Sequence, residues 1–180
     1  MDGTNTMMRG VFVGRFQPVH NGHLELIKEI VNKVDELVIV VGSSQYSHKR
    51  DNPFTAGERV TMIRNALQES QIPLSKTWII PVPDVHHHSL WVAQIVSYCP
   101  RFDVVYTNEP LTGRLFTEAG FKVEHMPLIK RELYTSTEVR ERIQTGRDWE
   151  KLVPSPVAKF IKEINGDVRV RELNKTDKLC

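Results

Sequence analysis

The chain has 180 residues, a length that suits one domain or one domain with a short extension. Its 40% hydrophobic and 26% charged content is that of an ordinary globular protein. With 24 basic against 22 acidic residues the net charge is only +2, which argues against a broad nucleic-acid binder and leaves room for a few well-placed cations.

Cys99 and Cys180 lie far apart and fit no metal spacing, so they read as free thiols in a reducing compartment. Met1 to Thr6 lacks the apolar core of a signal peptide. The longest apolar run, Leu37 to Val41, is too short to span a bilayer. The expectation is a cytoplasmic protein without a membrane partner.

In chain order, residues 1–8 read as a flexible N-terminus. Gly10 to Gly14 forms a first buried strand. Leu24, Ile27, Val31 and Val34 follow at helical spacing. Leu37 to Gly42 is a second strand, apolar on both faces, as expected in a parallel sheet covered on both sides. Thr55-Ala56-Gly57-Glu58 has the form of a capping box, and Val60, Ile63 and Leu67 line the helix that it opens. Trp78 to Val82 is a third strand, whose Pro81 suggests an edge position or a strand end. A helix over Leu90 to Tyr98, a strand over Asp103 to Thr107, a helix from about Leu111 to Glu118 and a strand over Phe121 to Met126 follow. The last third is helical, with apolar stripes at Val139 and Ile143 and at Val157, Phe160, Ile161 and Ile164. Residues 167–180 read as a loosely held polar tail. The alternation predicts an α/β fold over residues 9–166: a doubly wound parallel sheet of about five strands, with helices on both faces and a helical C-terminal part. Ligands of such sheets bind beyond the carboxyl ends of the strands.

His20 and His23 stand between the first strand and the first helix, separated by Gly22. Residues three apart share a helix face, so both imidazoles can point at one object. The helix start adds unpaired N–H groups and partial positive charge, and Gly22 lets an anion approach the backbone. Arg15 adds a cation, and together these make a phosphate site. With 7 His and 10 Gly in the chain, H-x-G-H arises by composition roughly 0.015 times, so chance is a poor explanation. A zinc-protease reading needs H-E-x-x-H, and its glutamate is missing.

Thr135-Ser136-Thr137-Glu138-Val139-Arg140 is a second helix start. Thr135 and Glu138 fit a capping box, which is a sufficient structural reason for those two. Ser136, Thr137 and Arg140 together again suit a phosphate. Lys130 and Arg131, just upstream, either strengthen that field or are solvated surface charges.

These residues resemble the nucleotidyltransferase superfamily, which implies a Rossmann-like fold. The closer resemblance is to archaeal-type nicotinamide-nucleotide adenylyltransferases. It rests on Gly14-Arg15-Phe16-Gln17-Pro18, on Ser47-His48 followed by Asn52-Pro53-Phe54-Thr55-Ala56-Gly57-Glu58-Arg59, on Leu90-Trp91-Val92 and on Tyr134 to Arg140, and it covers most of residues 9 to 165. The resemblance implies that ATP and nicotinamide mononucleotide (NMN) give NAD and pyrophosphate, with Mg²⁺ or a similar divalent ion carried by the ATP phosphates rather than by a protein metal site. It implies catalysis by Arg15, His20, His23 and Arg140. ATP would be held by Gly14, Arg15, Phe16, Gln17, His20, Gly22, His23, Arg131, Ser136, Thr137 and Arg140. It also suggests a homo-oligomer, a hexamer in archaeal relatives.

For the acceptor, the resemblance points to Arg50, Asp84, Trp91 and Asn108. Trp91 either stacks on the cationic nicotinamide ring, worth on the order of 1 kcal/mol, or is core in its helix. Lys49-Arg50-Asp51 leaves the register of the phosphate-holding arginine open by one residue. His86-His87-His88 reads as a solvated loop, because consecutive residues do not converge on one ion. Two alternatives stay open: a sister adenylyl- or cytidylyltransferase with another acceptor such as phosphopantetheine or riboflavin phosphate (FMN), and a non-catalytic nucleotide sensor on the same fold.

Overall fold

The computed structural model describes residues 7–126 and 132–176. Among these residues, β1 (Arg9–Gly14), β2 (Glu36–Val41), β3 (Thr77–Pro81), β4 (Val104–Tyr106) and β5 (Lys122–Glu124) form one sheet in the order β3-β2-β1-β4-β5. Every neighbouring pair is parallel. The chain starts in the centre, winds outward through β2 and β3, then returns to build β4 and β5 on the other side. β1 and β4 are therefore the neighbours at which the winding direction reverses, and the crevice of such a sheet opens there.

The period-two alternation of β2 explains why the sheet is covered twice. Leu37, Ile39 and Val41 enter one core, and Val38 and Val40 enter the other. All five are 0% exposed; each such burial contributes roughly 1.5–3 kcal/mol. The first core is closed by α1 (Asn21–Val31), α2 (Ala56–Glu69), α5 (Ser136–Thr145) and α6 (Ser155–Glu163). The second is closed by α3 (Trp91–Tyr98) and α4 (Pro110–Glu118). β3 lies at the sheet edge and ends at Pro81, where the missing N–H leaves no gap in a central ladder. Among the described residues, no helix is long and apolar enough to cross a membrane.

Two expectations are corrected. Met8, assigned to a flexible N-terminus, is anchored: its N–H donates to Asp35 Oδ2 at 2.8 Å, and its carbonyl accepts from Asp35 N at 2.9 Å. The polar segment after Gly166 is not a loose tail, because Gly166–Thr176 forms a further helix, α7. Its apolar contribution shrinks to few residues, with Val170 1% exposed. An ion pair holds it instead. Arg169 donates from Nη1 and Nη2 to the Glu58 carboxylate at 2.7 and 2.9 Å, and from Nη1 to the Pro53 carbonyl at 3.2 Å.

Candidate active site

β1 brings the chain to the carboxyl edge of the sheet at Gly14. Phe16 then takes a left-handed backbone conformation, φ 51°, and is 1% exposed. Its ring folds back over Gly14, where a Cβ would stand 2.9 Å from the Phe16 Cζ. Glycine at 14 makes room for that ring. The Gln17 side chain is spent on structure. Its Nε2 donates to the Phe54 carbonyl at 2.9 Å, and its Oε1 accepts from Phe54 N at 3.0 Å.

His20 is the N-cap of α1 and His23 its third residue. The His23 N–H donates to His20 Nδ1 at 3.2 Å, and the His20 N–H donates to His23 Nδ1 at 3.3 Å. This is a capping box built from two imidazoles. An Nδ1 that accepts from a backbone N–H carries no proton, so each neutral ring carries its hydrogen on Nε2. The rings stack with centroids 3.6 Å apart. Burial pushes the His20 pKa down to about 3. Burial, followed by the charge of His20, holds His23 well below the usual histidine range. The pair therefore supplies neutral Nε2–H donors rather than cations. Gly22 serves this stack: a Cβ there would stand 2.8 Å from Tyr134 Cβ and 3.1 Å from His20 Nδ1. The space left by the missing side chain is filled by protein, where the sequence reading had an anion approaching the backbone.

The start of α5 is bonded directly to this loop. Ser136 Oγ donates to the Pro18 carbonyl at 2.8 Å, and Arg140 Nη1 donates to the Gln17 carbonyl at 2.8 Å. Arg140 Nη2 reaches Thr137 Oγ1 at 3.3 Å, with Asp51 Oδ1 at 3.8 Å. Burial lowers the Arg140 pKa, and the charge of Asp51 opposes that shift. The expected capping box at Thr135 is half formed. Thr135 Oγ1 accepts from Glu138 N at 3.0 Å, while the Glu138 carboxylate accepts from Arg142 Nε at 2.7 Å.

Two cavities open at this edge. The first, of about 500 Å³, is lined by Arg15, Phe16, Gln17, His20, Gly22, His23, Asn108, Tyr134 and Thr135 to Thr137 with Arg140. Both helix starts thus face one space. The second, of about 510 Å³, is lined by Gly14, Arg15, Gly42, Ser43, Tyr46, Asp84, His88, Trp91 and Thr112 among others. Arg15 and Glu109 line both cavities and stand at their boundary. The Arg15 guanidinium forms no ion pair among the described residues.

Trp91 packs against the second core and also lines the second cavity. Asp84 lines that cavity too, with its carboxylate fixed by Ser43: Oδ1 accepts from Ser43 N at 3.1 Å and Oδ2 from Ser43 Oγ at 2.7 Å. Asn108, grouped with the acceptor residues, stands instead in the first cavity, where its Oδ1 accepts from Met126 N at 2.9 Å. Arg50 is exposed and lines neither cavity, although its charge reaches Arg140. Arg131 and Lys130 lie outside the described residues.

Sequence reasoning missed Arg59 as a site residue. It is 0% exposed and donates to the carbonyls of Arg15 (2.8 Å), Gly42 (2.8 Å), Ser43 (3.1 Å) and Thr55 (3.3 Å). It thereby ties the ends of β1 and β2 to α2. Burial brings its pKa down to about 10, which leaves it cationic at neutral pH. The signal was its position: Arg59, Met62, Ile63, Ala66 and Leu67 form the buried stripe of α2, and an arginine on that stripe must find buried acceptors.

The chain matches the cytidylyltransferase-like family over residues 11–142. It is 53% identical over 173 residues to the nicotinamide-nucleotide adenylyltransferase of Archaeoglobus fulgidus, covering 94% of this chain and 99% of that protein. It is 52% identical over 172 residues to the protein of the same name from Saccharolobus solfataricus, covering 96% of this chain and 100% of that one. In fold it is similar to a bifunctional NMN adenylyltransferase/ADP ribose pyrophosphatase from Francisella tularensis, with a TM-score of 0.78 and 20% identity. That likeness covers 96% of this chain and 55% of the bifunctional one, so the chain spans about half its length. The chain belongs to the cytidylyltransferase-like family and, within it, to the nicotinamide-nucleotide adenylyltransferases.

Proposed function

We propose that the first cavity holds the phosphates of ATP, that the second holds NMN, and that the two react across the boundary at Arg15 to give NAD and pyrophosphate. One observation carries this reading: the start of α5 is hydrogen-bonded to the loop that leads into α1, and both helix starts line one cavity, which shares Arg15 with a second cavity containing Trp91. The names and high identity of the archaeal relatives support the choice of substrates.

The chemistry asks little of any single side chain. An oxygen of the NMN phosphate, already anionic, attacks the α-phosphorus of ATP. A new P–O bond forms, the bond to the bridging oxygen of the β-phosphate breaks, and pyrophosphate leaves. No general base is needed. The protein has to align the two phosphates and meet the charge that moves onto the leaving group. His20 and His23 offer Nε2–H donors fixed in place by their own backbone bonds. Arg140 and Ser136 are held toward the same space. Arg15 stands where acceptor and donor meet. Apart from the Glu109 carboxylate, the first cavity is lined chiefly by N–H, hydroxyl and guanidinium donors, which suit phosphate oxygens better than a hard cation. We therefore assign the divalent ion, Mg²⁺ or a similar one, to the triphosphate as part of the substrate, where it shields the pyrophosphate. We also propose a cytoplasmic homo-oligomer, a hexamer as the family resemblance suggests.

The test is incubation with ATP, Mg²⁺ and NMN, measuring NAD, alongside a panel with phosphopantetheine and riboflavin phosphate. NAD formation that falls sharply in a folded His23→Ala variant supports the assignment. Turnover of a different acceptor in preference to NMN would replace it.

A further inference from the structure

One buried cation takes no direct part in the transfer. Arg59 is 0% exposed and lines neither cavity, so it touches neither substrate. We propose that Arg59 is a positioning residue for the reaction: its guanidinium fixes the Arg15 peptide at the boundary of the two cavities and the Ser43 peptide in the wall of the second, and so sets the alignment of donor and acceptor. This rests on the reading that the first cavity takes ATP and the second NMN.

The ladder between β1 and β2 ends where the site begins. Among the described residues its last backbone bond runs from Gly42 N to the Gly14 carbonyl, at 2.9 Å. Just beyond it both chains pass through left-handed residues, Phe16 at φ 51° and Ser43 at φ 50°. A residue with a side chain is strained in that region and stays there only where its surroundings hold it. Arg59 supplies the hold. Its Nη1 donates to the Arg15 and Gly42 carbonyls, each at 2.8 Å, and so bridges the two strand ends one step past the ladder. Its Nη2 donates to the Ser43 carbonyl at 3.1 Å, and its Nε to the carbonyl of Thr55, the N-cap of α2, at 3.3 Å. The Arg15 carbonyl belongs to the peptide before Phe16. Those of Gly42 and Ser43 belong to the two peptides that flank Ser43.

Each cavity is otherwise walled by other parts of the fold. The first has His20, His23, Ser136 and Arg140 from the starts of α1 and α5. The second has Trp91 from α3 and Thr112 from α4. These groups hold each substrate separately. Arg15 and Ser43 stand between them, on the strand ends that Arg59 clamps. A shift at the clamp therefore moves acceptor against donor while each stays bound, and in-line attack depends on that relation. The task also requires a fork. Four of the five guanidinium hydrogens go to carbonyls from three separate segments, at residues 15, 42–43 and 55. A lysine ammonium carries its three hydrogens on one atom and cannot span them.

The experiment compares wild type with Arg59→Lys, which keeps the charge and loses the fork. It measures kcat and both KM values for NAD formation, the dissociation constants of ATP and NMN taken singly by calorimetry, and stability by urea unfolding. In Arg59→Lys, kcat should fall about a hundredfold, as for reacting groups displaced by about 1 Å, while each KM and each dissociation constant stays within about threefold. A residue that served only the fold would lower the urea midpoint and leave the turnover of the folded enzyme as it was. Should Arg59→Lys not fold, Ser43→Gly is added, because glycine takes a left-handed φ without strain. The kcat of that double variant should lie about tenfold or more below that of Ser43→Gly alone. A kcat within about threefold of wild type in folded Arg59→Lys, a loss expressed wholly in KM, or a double variant as fast as Ser43→Gly overturns the proposal. A wild type that makes no NAD from NMN overturns instead the function on which it rests.

Discussion

Two buried imidazoles that cap each other must make stability depend on pH, and the direction and size of that dependence follow from the structure. The His20 pKa falls from an ordinary 6.5 to about 3 in the folded chain, through burial. On acidification the unfolded chain therefore takes up the proton first. The contribution is fully present above about pH 6.5 and is lost as pH drops toward 3. Below 6.5 the slope is about 1.4 kcal/mol per pH unit for one such group. Between pH 7.5 and 4.5 the integrated loss for His20 comes to about 2.5 kcal/mol. His23 shifts in the same direction and adds to it. The perturbation that isolates His20 is His20→Ser, because serine is a good N-cap and does not titrate here. Urea unfolding at pH 7.5, 6.5, 5.5 and 4.5 measures the free energy of both proteins. The gap between wild type and variant should shift against the wild type by about 2.5 kcal/mol across that range, nearly all of it below pH 6.5. Parallel curves would refute the claim that His20 is held neutral by its buried, reciprocal cap.

The other expectations follow from particular contacts. Gly22→Ala puts a methyl 2.8 Å from Tyr134 Cβ and 3.1 Å from His20 Nδ1; such overpacking costs roughly 1–3 kcal/mol, so kcat/KM for NAD synthesis should fall at least tenfold, and a change within twofold would show that the imidazole stack is not needed. Arg140→Lys keeps the charge but cannot bond both the Gln17 carbonyl and Thr137 Oγ1; steady-state kinetics should show KM for ATP rising about tenfold while KM for NMN moves less. Arg169→Ala removes the bidentate pair with Glu58 and should lower stability by about 1–2 kcal/mol in urea titrations, with kcat unchanged. Inorganic tripolyphosphate should raise the melting temperature of the wild type, while adenosine at the same concentration should do so much less; the reverse order would show that the first cavity is not a phosphate site.

What the sequence made legible was whatever depends on local periodicity and short-range chemistry. β2 announced a doubly covered sheet because five consecutive apolar residues leave no solvent face. Thr55 and Glu58 announced their cap because both partners lie within four residues. The H-x-G-H run showed that a helix start carried two imidazoles, but not that each imidazole would cap the other's backbone and lose its charge. That required the ring stacking and burial. α7 was illegible because its anchoring is long-range: Arg169 pairs with Glu58, 111 residues away, and few apolar residues mark its face. Asn108 was grouped with the acceptor, and its place in the first cavity depends on where β4 leaves the sheet. His88 read as loop because consecutive histidines diverge. Divergence is also what lets the fold select one of them for the cavity.

The arrangement of the three arginines explains why this edge of the sheet suits a polyanion. Arg59 is wholly buried and spends its fork on four carbonyls. Arg140 is nearly buried and spends its two nitrogens on Gln17 and Thr137, with Asp51 as a distant counter-ion at 3.8 Å. Arg15 has no ion pair among the described residues, and its charge lowers the pKa of both of the others. Buried cations compensated chiefly by carbonyl dipoles are costly to hold together. A protein selected for stability alone would pair each with a carboxylate. Among the described residues Asp51 is the one carboxylate that pairs with any of the three, and the histidines beside them are kept neutral rather than adding to the repulsion. Arg15 thus stands without an ion pair among the described residues at the boundary of the two cavities, with the Glu109 carboxylate on the same walls. On the proposed function, the phosphates of a nucleotide triphosphate and a mononucleotide would lower the mutual repulsion of Arg15, Arg59 and Arg140.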